Sequence, residues 1–173
     1  MAAAVHIPVS EYLRTTYRPD RDYIDGEVRE RNVGEQPHAH LQAILVGIFQ
    51  QNRIAWAIRT LPEQRFQVTP TRYRIPDLLL LRNTDPKDDI IAFAPLLCVE
   101  ILSREDRLNE IRERVADYVS VGAKAAWVVD PWRRVAYEQT AEGLREPADG
   151  ILRVAGTPIE VLIEVVFREL DES

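Results

Sequence analysis

Two acids in this chain stand where acids are costly. Asp77 lies in the run Ile75-Pro76-Asp77-Leu78-Leu79-Leu80-Leu81, and Glu100 lies in Pro95-Leu96-Leu97-Cys98-Val99-Glu100-Ile101-Leu102. Both runs are apolar and of strand length, as in strands buried on both faces of a sheet. A carboxylate in such a strand needs a hydrogen-bond partner, a cation, or protonation after an upward pKa shift. If neighbouring strands bring the two together, their repulsion is relieved by a hard divalent cation, and oxygen ligands suit Mg²⁺ or Mn²⁺. An ion held that way polarises a phosphodiester and generates hydroxide from water. The alternative is that both acids sit at strand ends and face solvent or a capping arginine. The proline before Asp77 and the hydroxyl of Ser103, three residues after Glu100, weigh towards a joint role.

The elements that must position these acids follow from periodicity. Val9, Tyr12 and Leu13 predict a short helix over 9–16 with Ser10 as its cap, and Asp25-Gly26 predicts a β-hairpin over 22–31. Leu41, Ile44, Leu45, Ile48 and Phe49 recur at helical spacing, so a long helix runs from Pro37 to about Arg53. Residues 54–68, broken by Pro62, read as two short strands joined by a turn. The two acid-bearing runs are central strands separated by a polar loop over 82–89. A helix after Ser103 carries Leu108, Ile111, Val115, Tyr118 and Val119 and stops at Gly122. Ala125–Asp130 reads as a further buried strand, paired through a turn at Pro131 with Val135–Thr140. The tail over 141–167 suggests one or two edge strands and an amphipathic helix. This order belongs to an α/β fold with a mixed sheet rather than a doubly wound one.

Composition narrows the classes further. At 173 residues and 46% hydrophobic content, one domain spanning 1–173 is the expectation. No apolar run approaches a membrane span and the start lacks signal-peptide character, so a cytoplasmic protein is expected, with no membrane partner. Cys98 is the only cysteine, which excludes intrachain disulfides and cysteine zinc sites, and its neighbours mark it as a small buried hydrophobe. The formal charge of 22 − 28 = −6 argues against a generally basic surface, although carboxylates gathered for a cation lower it and arginines can still line one groove.

Six motifs in order carry a resemblance from about Val9 to Thr140. They are Tyr23-Ile24-Asp25-Gly26-Glu27, His38 with Leu41-Gln42, Ile75-Pro76-Asp77, Glu100-Ile101-Leu102-Ser103, Tyr118 with Gly122, and Trp127-Val128-Val129-Asp130-Pro131. Together they resemble the bacterial family called putative restriction endonucleases, once a domain of unknown function, of the PD-(D/E)XK nuclease superfamily. The resemblance implies a restriction-endonuclease-like core and a metal-dependent endonuclease that hydrolyses phosphodiester bonds in DNA, with Asp77 and Glu100 as ligands of Mg²⁺ or Mn²⁺. It also implies a homodimer, since many nucleases of this architecture use one subunit per strand.

The superfamily usually places a lysine two residues after the second acid, where this chain has Leu102. In the family that lysine resembles one moved to the next helix, and the match puts Arg114 there. Arginine keeps the charge and can hold a phosphate oxygen, but it is almost never deprotonated. Lys124 is the nearest lysine, beyond Gly122. The resemblance also carries an outer contact to metal or water onto Glu27, and a contact to the metal water or scissile phosphate onto His38. A solvated acid and a structural histidine are the respective alternatives, and His40 faces elsewhere. Arg65, Arg72 and Arg74 suit either phosphate contacts or a solvated face; Trp127 reads as core and Trp132 as a surface or oligomer contact. Arg114 in the lysine position and the acidic charge leave a second function open, a nuclease-fold protein without strong catalysis that binds nucleic acid or a partner.

Overall fold

Among the described residues the alternation of apolar and polar residues resolves into a six-stranded sheet, a four-stranded sheet, a two-stranded one and four helices. The computed structural model describes residues 6–31 and 35–172. In chain order the elements are helix α1 (Val9–Arg14), strands β1 (Asp22–Ile24) and β2 (Glu27–Arg29), helix α2 (Gln36–Asn52), and strands β3 (Ile58–Pro62), β4 (Phe66–Thr69), β5 (Arg72–Arg74), β6 (Leu78–Arg82) and β7 (Leu97–Ile101). Helix α3 (Leu108–Ser120) follows, then strands β8 (Ala125–Asp130), β9 (Val135–Thr140), β10 (Gly143–Arg145), β11 (Ile151–Arg153) and β12 (Glu160–Leu162), and helix α4 (Ile163–Glu172).

The main sheet has the order β10-β9-β8-β7-β6-β3. Its pairings are antiparallel except β7 with β8, which α3 connects as a crossover helix. The sheet is therefore mixed, as the element order predicts. Side chains alternate across it. Leu78, Leu80, Leu97, Val99, Trp127 and Val129 face α2 and α4, while Leu79, Leu81, Cys98, Ala126 and Val128 face α3 with its Ile111, Val115 and Tyr118. All four leucines of β6 are fully buried, which is why that strand reads as a continuous apolar run. By the same alternation Asp77 and Glu100 belong to the α3 side.

A second sheet, β2-β1-β5-β4, is antiparallel throughout. The predicted hairpin forms its edge, with Asp25 at φ 49° and Gly26 at φ 106° supplying the left-handed turn. A Cβ on Gly26 would stand 2.4 Å from Nδ1 of His6, so the turn needs glycine for space as well. Tyr12 of α1 stacks on Tyr23, and Tyr73 completes the small aromatic core beneath this sheet.

Two local expectations differ from the structure, one at α1 and one at β5. Pro8, not Ser10, precedes α1, because proline's fixed φ suits the entry and the Ser10 side chain is not used as a cap. The two short strands joined by a turn are present as predicted, and the turn through Glu63 at φ 49° leaves β3 on β6 of the main sheet and β4 on β5 of the small one. In register, Leu61 of β3 stands opposite Leu79, and Phe66 of β4 stands opposite Arg74 at the sheet junction. Arg72 and Arg74 do not form a solvated face, as Arg74 is 3% exposed.

Candidate active site

The antiparallel register of β6 and β7 pairs Leu78 with Val99, and one step further towards the strand end stand Asp77 and Glu100. Asp77 is 3% exposed and Glu100 is 1% exposed, so neither acid is a solvated strand-end residue. Asp77 Oδ1 accepts a hydrogen bond from Nη2 of Arg31 at 2.5 Å. Its Oδ2 accepts one from the Ile101 amide at 2.7 Å and lies 3.3 Å from Nε2 of His38. Gln42 on α2 donates to the Asp77 carbonyl at 3.0 Å, tying the strand end to the helix that carries His38. On Glu100, Oε1 accepts from the Tyr118 hydroxyl and Oε2 accepts from Nη1 of Arg114 at 3.1 Å.

Environment drives the two acids apart. Burial works to raise Asp77, but His38, Arg31 and the Ile101 amide outweigh it and hold the carboxyl below its usual range. Glu100 is pushed up to about 7, first by burial and then by the charge of Asp77, against the opposing pull of Arg114, Arg31 and Tyr118. In this coupled pair the proton goes to Glu100, because Asp77 has more cationic donors and a backbone amide. Burial lowers His38, yet its contact with Asp77 raises it further, so the imidazole ends above its ordinary value. A buried carboxylate held this incompletely is a group that a further cation would stabilise.

Helix α3 fixes the upper wall. Arg114 and Tyr118 are four residues apart and share one helix face towards Glu100, while Glu113 and Asp117 share the neighbouring face. That second face meets Arg74, which donates to Asp117 Oδ2 at 2.7 Å, to Glu113 Oε1 at 2.9 Å and to Asp22 Oδ2 at 2.9 Å. Asp22 also accepts from the Ile75 amide at 3.1 Å, and Arg72 bridges Asp117 and Asp25. One buried guanidinium therefore locks β1, β5 and α3 together directly beside the segment that delivers Asp77.

With this geometry in view, the family model of Uma2, described as "Putative restriction endonuclease", matches residues 9–170. The chain belongs to the Uma2 family. A crystal structure of a putative nuclease belonging to DUF820 from Anabaena variabilis ATCC 29413 superposes with a TM-score of 0.80 at 18% identity, covering 95% of this chain and 99% of that one. That likeness shows the fold. The cryoEM structure of a DrdV–DNA complex matches at a TM-score of 0.39 and 12% identity, over 79% of this chain and 14% of that one, and carries no argument. No curated protein matches the chain.

Within this Uma2 fold the predicted residues divide. Asp77, Glu100, Arg114 and His38 come together, three of them on different elements and Asp77 in the bend before β6. Glu27 does not join them: on β2 it lies 3.5 Å from Arg29 and 3.9 Å from His6, half exposed. The turn at Asp25-Gly26 aims that strand at the edge of the small sheet. Lys124 precedes β8 at the end of the parallel pair away from Glu100, since Ala125 pairs with Leu97. Sequence reasoning missed Arg31 and gave Tyr118 no contact of its own. Arg31 follows β2 in a charged stretch, Arg29-Glu30-Arg31, where nothing marks one arginine as buried. Tyr118 carried a signal, a hydroxyl on the apolar stripe of α3.

Proposed function

We propose that this Uma2 protein is a metal-dependent endonuclease that hydrolyses phosphodiester bonds in DNA at the Asp77–Glu100 pair. The observation that carries the reading is that two buried carboxylates, 23 residues apart in sequence (100 − 77), meet at one sheet end with three cationic side chains around them. Cost decides the argument. A sheet gains nothing from burying two adjacent carboxylates, whereas a site for a doubly charged ion and a phosphate needs them.

The donor set fits Mg²⁺ or Mn²⁺. Among the described residues no group of three or more His, Cys, Asp or Glu side chains is arranged as an all-protein cage for an ion. Magnesium is ordinarily held by one or two carboxylates, with water and substrate phosphate filling its other positions. Each carboxylate oxygen has a second lone-pair direction beyond the donor it now accepts. When bound, the ion supplies Lewis-acid polarisation of the phosphodiester and lowers the pKa of the attacking water.

The chain's own residues do the rest. Arg31 and the Ile101 amide fix the Asp77 carboxylate, and Tyr118 and Arg114 fix that of Glu100. Arg114, permanently charged and 3.1 Å from Glu100, stabilises the charge that develops on the phosphate oxygens, but it moves no proton. His38, 3.3 Å from Asp77 Oδ2 and with its pKa above its ordinary value, is suited to give a proton to the departing oxygen.

A second reading is favoured by one observation. Arg31 pairs with Asp77 and Arg114 with Glu100, so each carboxylate already has an arginine partner where a cation would bind, as in a nuclease fold retired to binding. Supercoiled plasmid and single-stranded DNA incubated with the protein in Mg²⁺, Mn²⁺ or chelator, beside Glu100→Gln prepared identically, separate the two. Nicking that requires metal and disappears in the variant supports the nuclease. Absence of cleavage in every condition leaves the binding module.

A further inference from the structure

The sheet face that carries Glu100 continues into a second space. Where the C-terminal ends of the parallel strands β7 and β8 part, a cavity of about 740 Å³ opens, with Leu102 and Val128 at its floor, Trp132 in its wall, and Arg104, Arg112 and Arg133 around it. Its size is that of a ligand pocket. It adjoins the carboxylates by construction: Val128 is the register partner of Glu100, and Leu102 is two residues beyond Glu100 on the same strand face, roughly 7 Å along. Arg114 spans the boundary, 3.1 Å from Glu100 and 3.9 Å from Asp106.

Two acids at this cavity serve its walls. Asp130 Oδ1 accepts the Trp132 and Arg133 amides at 2.8 and 3.0 Å, shaping the turn that presents the indole. Asp106 Oδ2 accepts the Ser103 amide at 2.7 Å and its hydroxyl at 3.0 Å, closing the loop that presents Arg104. The guanidinium of Arg104 lies 4.0 Å over the Trp132 ring, so that face already supports a flat stacked group, and the indole Nε1 is buried without a hydrogen-bond partner. Arg104 also lies 3.5 Å from Glu35, and Arg133 lies 3.9 Å from Asp130 with its side chain 80% exposed. An apolar floor, an indole face on which the Arg104 guanidinium now lies and a rim of arginines select a flat aromatic group that takes the place of Arg104 on the ring, joined to an anion that Arg104 and its neighbours hold. A base inside a duplex hides its faces in the stack.

We propose that this cavity is a nucleotide subsite that takes one unpaired nucleotide of the strand cut at Asp77 and Glu100, its base stacked on Trp132 and its phosphates on Arg104 and Arg112. The inference rests on the nuclease reading and names its substrate class: nucleic acid with a single-stranded segment.

Binding in chelator tests the subsite without cleavage. The probe is a fluorescein-labelled oligothymidylate of about 12 nucleotides read by anisotropy, with an abasic strand of equal length and a blunt duplex as comparisons. The oligothymidylate is expected to bind more tightly than either. Trp132→Ala should weaken it roughly tenfold and Trp132→Phe far less, as loss of a stacking face requires. Arg112→Glu should weaken it and flatten its salt dependence. Equal binding of the abasic strand, an unchanged affinity in Trp132→Ala, or no binding by the wild-type protein overturns the proposal. Should Trp132→Ala lose its circular dichroism, the abasic comparison and Arg112→Glu decide alone. Cleavage that persists while Trp132 is neutral removes the subsite only; Trp132-dependent binding without cleavage removes the nuclease reading only.

Discussion

Replacing Glu100 by glutamine keeps the shape of the side chain and an oxygen for Tyr118 and removes the charge. In the folded protein Glu100 titrates at about 7 against the ordinary 4.5, chiefly through burial. An acid whose folded pKa is raised holds its proton more tightly in the folded state. The contribution of Glu100 to stability is therefore greatest below about pH 4.5, falls as pH rises to about 7, and becomes a constant penalty above that. The span is 7 − 4.5, or about 2.5 pH units, and at about 1.4 kcal/mol per unit the penalty at pH 8 is about 3 kcal/mol. Glutamine escapes it. His38, which is also raised, slopes in the same direction in both proteins and cancels from the difference. Urea denaturation in chelator should find Glu100→Gln close to the wild type near pH 4.5 and about 3 kcal/mol more stable at pH 8, a midpoint shift of roughly 1 to 2 M. A difference that stays constant across that range would refute the claim that the structure holds an undercompensated carboxylate at Glu100.

Arg74→Met leaves Asp22 and Asp117 buried without their shared guanidinium and should destabilise the protein by about 3–5 kcal/mol in the same assay. A loss below about 1 kcal/mol would mean that the network is dispensable. Arg114→Lys keeps the charge and presents a compact ammonium to the phosphate, so single-turnover plasmid nicking should rise; a lower rate would show that the planar fork is the working form. Arg114→Met should reduce nicking by about 10²-fold or more, the loss expected when a charge facing the developing oxyanion is removed, and an unchanged rate would place Arg114 outside the chemistry.

Much of this arrangement is legible before folding, for identifiable reasons. Leu78–Leu81 and Leu97–Ile101 announce buried strands because burial on both faces leaves no alternation to mistake, and an acid inside such a run is conspicuous. Asp25-Gly26 marks its hairpin because few other pairs adopt two left-handed residues in succession. The placing of β3 on β6 is not local information, since that partner lies beyond β4 and β5 in the chain, whereas β4 pairs with β5, which follows it directly. The burial of Arg31 and Arg74 is hidden for the same reason: an arginine looks solvated until its carboxylates arrive from 39 to 52 positions away. Arg114 was found through family likeness, and the geometry supplies what the likeness lacked, a contact with Glu100 itself.

The account turns on whether the Asp77–Glu100 pair takes up a divalent ion. Titrating Mn²⁺ into the protein and following the loss of the free-ion paramagnetic resonance signal should give one saturable site per chain, abolished in Asp77→Asn and in Glu100→Gln while both variants remain folded. Absence of saturable binding in the wild type, or binding that survives both substitutions, would contradict the account and leave the carboxylates as partners of Arg31 and Arg114 alone.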